Sequence, residues 1–102
     1  MLKPSFSPQF EIGELVVHPG INALIKDDQL TISQTFAFVR RHMSADWGHV
    51  DEPMRLENEH HLALEHGSLT SVYRLPDNIE LCVITQADRS RTDVLLTHEV
   101  HD

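Results

Sequence analysis

His42 and Asp46 come nearest in this chain to a catalytic pair by residue type and spacing. They lie four positions apart, about one helical turn, and an oriented His–Asp pair can act as a general base. Ser44, between them, is the candidate nucleophile, but no glycine-rich oxyanion loop or nucleophile elbow accompanies it. The interpretation we favour is structural: Trp47 closes the edge of the core, and Asp46 caps a turn or pairs with Arg40 or Arg41.

Glutamate and histidine are concentrated in the segment 51–66. Two metal ligands on one helix face need a spacing of three or four residues, and His61 has that spacing to both Glu57 and Glu65. Zinc needs a third or fourth ligand, which only distant histidines could supply. We therefore predict no metal site and a solvated helix face, on which Glu57, Glu59 and His61 are candidates for contacting a partner.

Residues 88–92, Asp-Arg-Ser-Arg-Thr, form a second polar cluster in what we predict to be a hairpin loop. Asp and Ser in such loops accept hydrogen bonds from nearby backbone amides. The arginines could hold an anion, although one short loop is a weak anion site. Because the charges are opposite, we expect Asp46 to pair with Arg89 or Arg91. Asp88 and Arg89 join His42, Asp46 and Trp47 as candidate binding residues.

The composition argues against some functional classes, such as nucleic-acid-binding and membrane proteins. The chain has 102 residues, 40% hydrophobic and 24% charged, as expected for one globular domain. The formal charge of −8 disfavours direct nucleic-acid binding and suits either a basic protein partner or solubility alone. The lone Cys82 points to a reducing compartment, and the sequence contains no apolar run long enough for a membrane span or signal peptide. We therefore expect a cytoplasmic protein without membrane contact.

Periodicity and turn chemistry predict the elements that position these residues. Thr31 or Ser33 should cap a helix whose inward face is Phe36, Val39 and Met43. Segment 51–66 should be a surface helix that stops at Gly67. Its apolar residues form a broad stripe: Met54, Leu56, Leu62, Ala63 and Leu64. We predict strands at 10–17, 69–75, 79–85 and 92–96. A short first helix is predicted at 21–26.

These elements predict an α+β fold with two layers. The last three strands should form an antiparallel meander, which the first strand joins to give a sheet of three to four strands. About three helices should pack on one face. We divide the chain into an extended lead-in at 1–9, one domain at 10–97 and a C-terminal tail at 98–102.

The two polar segments also resemble motifs of a family of small uncharacterised proteins from bacterial plasmids and integrative elements. The family pattern runs Pro-Gly, Arg-His, Asp-Trp-Gly, Ser-x-Tyr and Ile-Thr-Glu-Ala-Asp-Arg-Ser-x-Thr. The resemblance covers residues from about 12 to 97. The matching segments are Pro19-Gly20, Arg41-His42, Asp46-Trp47-Gly48, Gly67, Ser71-Val72-Tyr73, Ile84-Thr85, Ala87-Asp88-Arg89-Ser90, Thr92 and Leu95-Leu96.

The resemblance implies an accessory protein of a mobile element. The biochemistry of the family is unknown, so the resemblance supplies no catalytic residue. Gln86 replaces the glutamate of the family pattern, which argues against a shared acid–base role at this position. Family members are often labelled type I restriction subunit M. A methyltransferase, however, needs a doubly wound sheet and a cofactor loop, which do not fit in 102 residues.

Three functional interpretations remain at this stage. The missing catalytic set favours a non-enzymatic protein that binds a basic partner without a cofactor, such as an antagonist of host restriction or CRISPR machinery. The first alternative is a small metal-dependent or His/Asp hydrolase that uses His42, Asp46 and His49. The second is a homodimeric structural module that pairs through a free sheet edge.

Overall fold

The fold is α+β, as predicted, in a computed structural model that describes residues 8–100. Most of the predicted lead-in, residues 1–7, and the last two residues of the predicted tail lie outside the described part. The elements, in chain order, are β1 (Glu14–Val17), α1 (Pro19–Lys26), α2 (Ile32–Met43), α3 (Glu52–Leu64), β2 (Leu69–Arg74), β3 (Glu80–Thr85) and β4 (Arg91–Leu96).

The sheet has the strand order β1-β4-β3-β2. Strands β2, β3 and β4 form the predicted antiparallel meander, and β1 joins β4 in parallel, with Leu15 beside Thr92. Helices α1 and α2 pack against one face of the sheet, while α3 lies beside the edge strand β2. Alternating strand residues supply the sheet side of the core, and the buried apolar ones are Leu69, Tyr73, Leu81, Val83 and Val94.

Capping residues set the starts of the two longer helices. Thr31 accepts from the Gln34 amide, and the Gln34 side chain accepts from the Thr31 amide, so the two form a capping box. Asp51 accepts from the Met54 amide at the start of α3. This helix ends at Leu64, earlier than predicted, because Glu65 already takes the left-handed conformation that ends a helix.

The predicted buried face of α2 was correct for Val39, which is 3% exposed, and for Met43, which is half-buried and packs against the core, but it was wrong for Phe36. Phe36 is 48% exposed, and the fully buried residues of the helix are Thr35, Val39 and His42. Phe38 also turns inward and stacks on Tyr73, with ring centroids 4.9 Å apart. A buried histidine therefore occupies the helix face where we expected an apolar side chain.

Two residues of the apolar stripe predicted for α3 do not face the core. Leu56 and Leu64 point to solvent, 54% and 60% exposed, whereas Asn58 is 1% exposed. Asn58 donates to the Thr70 carbonyl at 2.7 Å and accepts from the Thr70 amide at 3.0 Å. Hydrogen bonds to β2, rather than a broad apolar stripe, thus hold the middle of this helix.

The outer edge of β2 is occupied over much of its length. Asn58 binds both backbone groups of Thr70, and Val72 exchanges backbone hydrogen bonds with Trp47 and His49. Gly48 between them has a φ of +72°, and a side chain there would collide with the Val72 carbonyl. This stretch of the β2 edge is therefore unavailable for pairing with a strand of another chain.

The described end of the chain is tied to α1. Residues 97–99 form a 3-10 turn, and the Glu99 carboxylate accepts from the amides of Gly20 and Leu96, each at 2.9 Å. Glu99, in the predicted tail, thus contacts the domain. None of the helices within residues 8–100 is long and apolar enough to cross a membrane.

Candidate functional site

Asp46 pairs with Arg41, one of the two arginines named as partners in the structural interpretation. The Arg41 Nε donates to Asp46 Oδ2 at 2.7 Å, and this hydrogen bond lowers the pKa of the carboxyl below its usual range. The Asp46 carbonyl accepts from the Tyr73 hydroxyl at 2.6 Å, and the Arg41 guanidinium carbon lies 4.6 Å from the Tyr73 ring centroid. Burial raises the pKa of Tyr73 to about 12.

His42 points away from Asp46, into the core, where it is fully buried. Its Nδ1 lies 2.6 Å from the Ser71 hydroxyl, and its Nε2 lies 2.9 Å from the Thr85 hydroxyl. Thr85 in turn contacts the Thr92 hydroxyl at 2.7 Å. Since Asp46 is not its partner, the His–Asp pair on which the hydrolase alternative rested does not form.

The direction of each hydrogen bond in this chain can be deduced. Thr92 donates to the Ile12 carbonyl at 2.8 Å, so its proton is used, and Thr85 must donate to Thr92. The Thr85 oxygen then accepts from His42 Nε2–H, which leaves Nδ1 to accept from Ser71. This assigns the neutral Nε2–H tautomer to His42. Burial, with a contribution from the Arg89 charge, lowers its pKa to about 3.

Trp47 is 4% exposed and closes the edge of the core, as the structural interpretation proposed. Its ring stacks on Phe10 at 6.2 Å and meets His42 edge-on at 5.7 Å. The indole Nε1 donates to Glu59 on α3 at 3.4 Å. Trp47 thus links the segment before β1, the end of α2 and one carboxylate of α3, and its ring is shielded from solvent.

Arg89 binds backbone carbonyls, and the expected ion pair between Asp46 and Arg89 or Arg91 was wrong. Its Nη1 donates to the carbonyls of Gly67 at 2.6 Å and Ala87 at 3.0 Å, and its Nη2 donates to that of His61 at 3.3 Å. A cation at the C-terminal end of α3 also complements the helix dipole. The two polar segments meet through Phe10, which lies between Trp47 and Arg89.

Asp88 and the two remaining candidates on α3 have separate roles. Asp88 accepts from the Ser90 amide at 3.0 Å, the loop hydrogen bond that the sequence predicted, and its bonds to Ser90 lower its pKa. Glu57 lies 3.9 Å from His61, an i,i+4 contact at the surface. The structure therefore places all eight candidate binding residues in or around the corner between α2, α3 and the β3–β4 hairpin, but not in one pocket.

A polar cluster on the other side of the sheet was missed by the sequence analysis. Asp93 Oδ1 accepts from His18 Nε2 at 2.9 Å and from two nitrogens of Arg91, at 3.0 and 2.6 Å. Burial raises the Asp93 pKa, but hydrogen bonds from Arg91 and His18 outweigh it and lower the pKa overall. The i,i+2 spacing of Arg91 and Asp93 on a strand was the available signal. The cluster ties β4 to the residue before α1.

The outer face of α3 exposes both apolar and acidic side chains. Leu56 and Leu64 lie two helical turns apart on it, with exposed Glu57 and Glu59 on either side. Within residues 8–100, no group of three or more histidine, cysteine or acidic side chains is arranged to hold a metal ion. The outer face of α3 can provide apolar contact through its leucines and negative charge through its glutamates.

Comparisons with family models, curated proteins and solved structures returned no match to this chain.

Proposed function

We propose that this chain is a non-enzymatic protein-binding protein, whose α3 docks on a partner with a basic surface. The observation that carries the proposal is the orientation of α3, which exposes Leu56 by 54% and Leu64 by 60% between glutamates. A helix that turns its leucines outward keeps apolar area for a contact outside the chain. Because the chain has a net charge of −8, a positively charged partner surface would complement it.

The way in which α3 is fixed supports a docking role. Asp51 caps its start, Asn58 binds β2 in its middle, and Arg89 binds the His61 carbonyl near its end. The helix is therefore presented as a rigid surface, although few of its apolar side chains are buried. A rigid surface lowers the ordering entropy lost on binding.

The partner class that best fits this surface is a bacterial defence protein with a basic nucleic-acid channel. Two observations support this extension: the negative charge of α3, and the resemblance of the two polar segments to mobile-element proteins. Such a channel attracts carboxylates as it attracts phosphates. On this proposal, the chain antagonises its partner by occupying the channel.

The experiment is a pull-down from a bacterial host lysate with immobilised chain and two matched double variants. Leu56→Ser with Leu64→Ser alters the proposed face, and Ile32→Ser with Phe36→Ser alters equally exposed residues of α2. We expect the wild type and the α2 variant to retain the same protein, and the α3 variant to lose it. Equal recovery by all three, or no recovery, would contradict docking through α3.

Competition with nucleic acid tests the partner class. Duplex DNA added at constant ionic strength should release the retained protein, because both ligands would use one basic channel. A retained protein that resists DNA but is lost by the α3 variant would leave the docking proposal standing and overturn the channel assignment.

A further inference from the structure

The C-terminal end of α3 borders a cleft with a volume of about 620 Å³. Its walls come from three separate parts of the chain: the segment before β1, the end of α3, and the β3–β4 turn. The volume lies in the range of small-ligand sites, roughly 300–1,000 Å³. We call it the Phe10 cleft, and its relevant residues are Phe10, Glu11, Leu62, Glu65, Asp88 and Arg89.

Contacts with neighbouring side chains fix the Phe10 ring, which is an apolar part of the cleft. The Phe10 ring packs on Trp47 at 6.2 Å and on His42 at 5.2 Å, and the Arg89 guanidinium carbon lies 5.9 Å from its centroid. Leu62, half-buried, provides the facing apolar surface on α3. Because these contacts fix the ring, the cleft does not depend on movement of Phe10 to open.

The polar part of the cleft is negative. Glu11, Glu65 and Asp88 are exposed, and none of them forms an ion pair within the described residues. Arg89, the cation of the cleft lining, uses both terminal nitrogens on backbone carbonyls. The hydrogen bonds of Arg89 are therefore made to the backbone, and the three exposed carboxylates of the lining form no ion pair with it.

We propose that the Phe10 cleft receives a lysine or arginine side chain of the partner protein that docks on α3. The alkyl stem would lie on Phe10 and Leu62, and the charged head would reach the carboxylates. The cleft lies next to the helix end that carries Leu64, because Leu62 belongs to the last turn of α3 and Glu65 follows that turn. The inference rests on the proposed function and adds the residue type that its partner presents.

The test is a titration of the ¹⁵N-labelled chain with N-acetyl-arginine amide, followed by amide chemical shifts. N-acetyl-norleucine amide, which has an alkyl stem but no charge, is the control ligand. We expect saturable shifts at Phe10, Leu62 and Asp88 with the arginine probe only. Absence of saturable shifts, or equal shifts with norleucine, would overturn the inference.

Substitutions of the cleft carboxylates test where the arginine probe binds. Glu65→Gln with Asp88→Asn should weaken binding of the arginine probe roughly fivefold, because two exposed charge contacts are lost. Asn at 88 keeps an oxygen that can accept from the Ser90 amide, so the turn is preserved. Glu11→Gln should weaken it less, since one contact is lost. Unchanged affinity in both variants would show that the carboxylates do not bind the probe.

Failure of this inference can be distinguished from failure of the docking proposal. Leu56→Ser with Leu64→Ser lies outside the cleft lining and should leave the arginine titration unchanged. If the pull-down succeeds through α3 while the titration fails, the cleft assignment alone falls. If the titration succeeds while the α3 variant retains the partner, the docking proposal falls and the cleft remains a site for basic side chains.

Discussion

Arg89 donates a hydrogen bond of 2.6 Å to the carbonyl of Gly67, which joins the β3–β4 hairpin to the loop after α3. The same guanidinium reaches the His61 carbonyl inside α3 and the Ala87 carbonyl in its own turn. Asp-Arg-Ser, the segment that looked most like an anion site in the sequence, thus has a structural role. It fixes the end of the helix whose outer face we assign to docking.

Replacing Arg89 should loosen α3 at its C-terminal end. Arg89→Met keeps much of the stem but removes every donor, so we expect the free energy of unfolding to fall by about 2 kcal/mol. Amide exchange should accelerate most at residues 61–67. Arg74→Met is the matched control, because Arg74 makes an exposed ion pair with Glu80, and it should change stability by less than about 0.5 kcal/mol. Equal losses in both variants would contradict the role of Arg89.

Asn58 should be among the most sensitive positions on α3. Asn58→Leu is close in size but leaves the amide and carbonyl of Thr70 without their partners, which should lower stability by about 2–3 kcal/mol. Denaturant titration measures this directly. His60→Leu, a change to the same residue at an exposed neighbour, should shift stability by less than about 0.5 kcal/mol. A stable Asn58→Leu protein would mean that apolar contacts hold the helix.

Acid should destabilise the protein through His42. Its pKa is about 3 in the folded chain and near its ordinary value of 6.5 in the unfolded chain. The unfolded state therefore binds more protons between these values, so stability is lost as pH falls from about 6.5 toward 3. At roughly 1.4 kcal/mol per pKa unit, the upper limit is about 5 kcal/mol.

His42→Gln isolates this effect. The amide can accept from Ser71 and donate to Thr85, but it does not titrate, so the slope of stability between pH 6.5 and 4.5 should become smaller. His60→Gln removes an exposed histidine and should retain the wild-type slope. Denaturant midpoints measured at several pH values provide the test, and identical slopes in all three proteins would contradict the assignment.

Local chemistry explains what the sequence predicted well. The capping residues Thr31 and Asp51 act on amides three positions away, so the starts of α2 and α3 could be inferred from short stretches. The meander was predictable for the same reason, since turns lie between neighbouring strands. The starts of these two helices and the order of the last three strands therefore required no knowledge of distant contacts.

Long-range partners explain what the sequence did not predict. His42 faces inward because Ser71 and Thr85, 29 and 43 positions later, supply its hydrogen bonds, and Phe36 consequently faces solvent. Asn58 holds α3 through Thr70 on a strand that had to be placed first. A prediction from helix periodicity uses only the spacing of apolar residues, so it takes no account of polar partners elsewhere in the chain. The outward leucines of α3, on which the proposed function rests, were hidden from the sequence for this reason.

The central claim is that the outer face of α3 binds a partner through its leucines and carboxylates. The most direct measurement is the dissociation constant of the protein recovered in the pull-down, determined for the wild type and both double variants. Leu56→Ser with Leu64→Ser should weaken binding by roughly 30-fold, since about 1 kcal/mol is lost per partly exposed leucine, and Ile32→Ser with Phe36→Ser should leave it unchanged. Equal affinities for all three proteins would contradict the account.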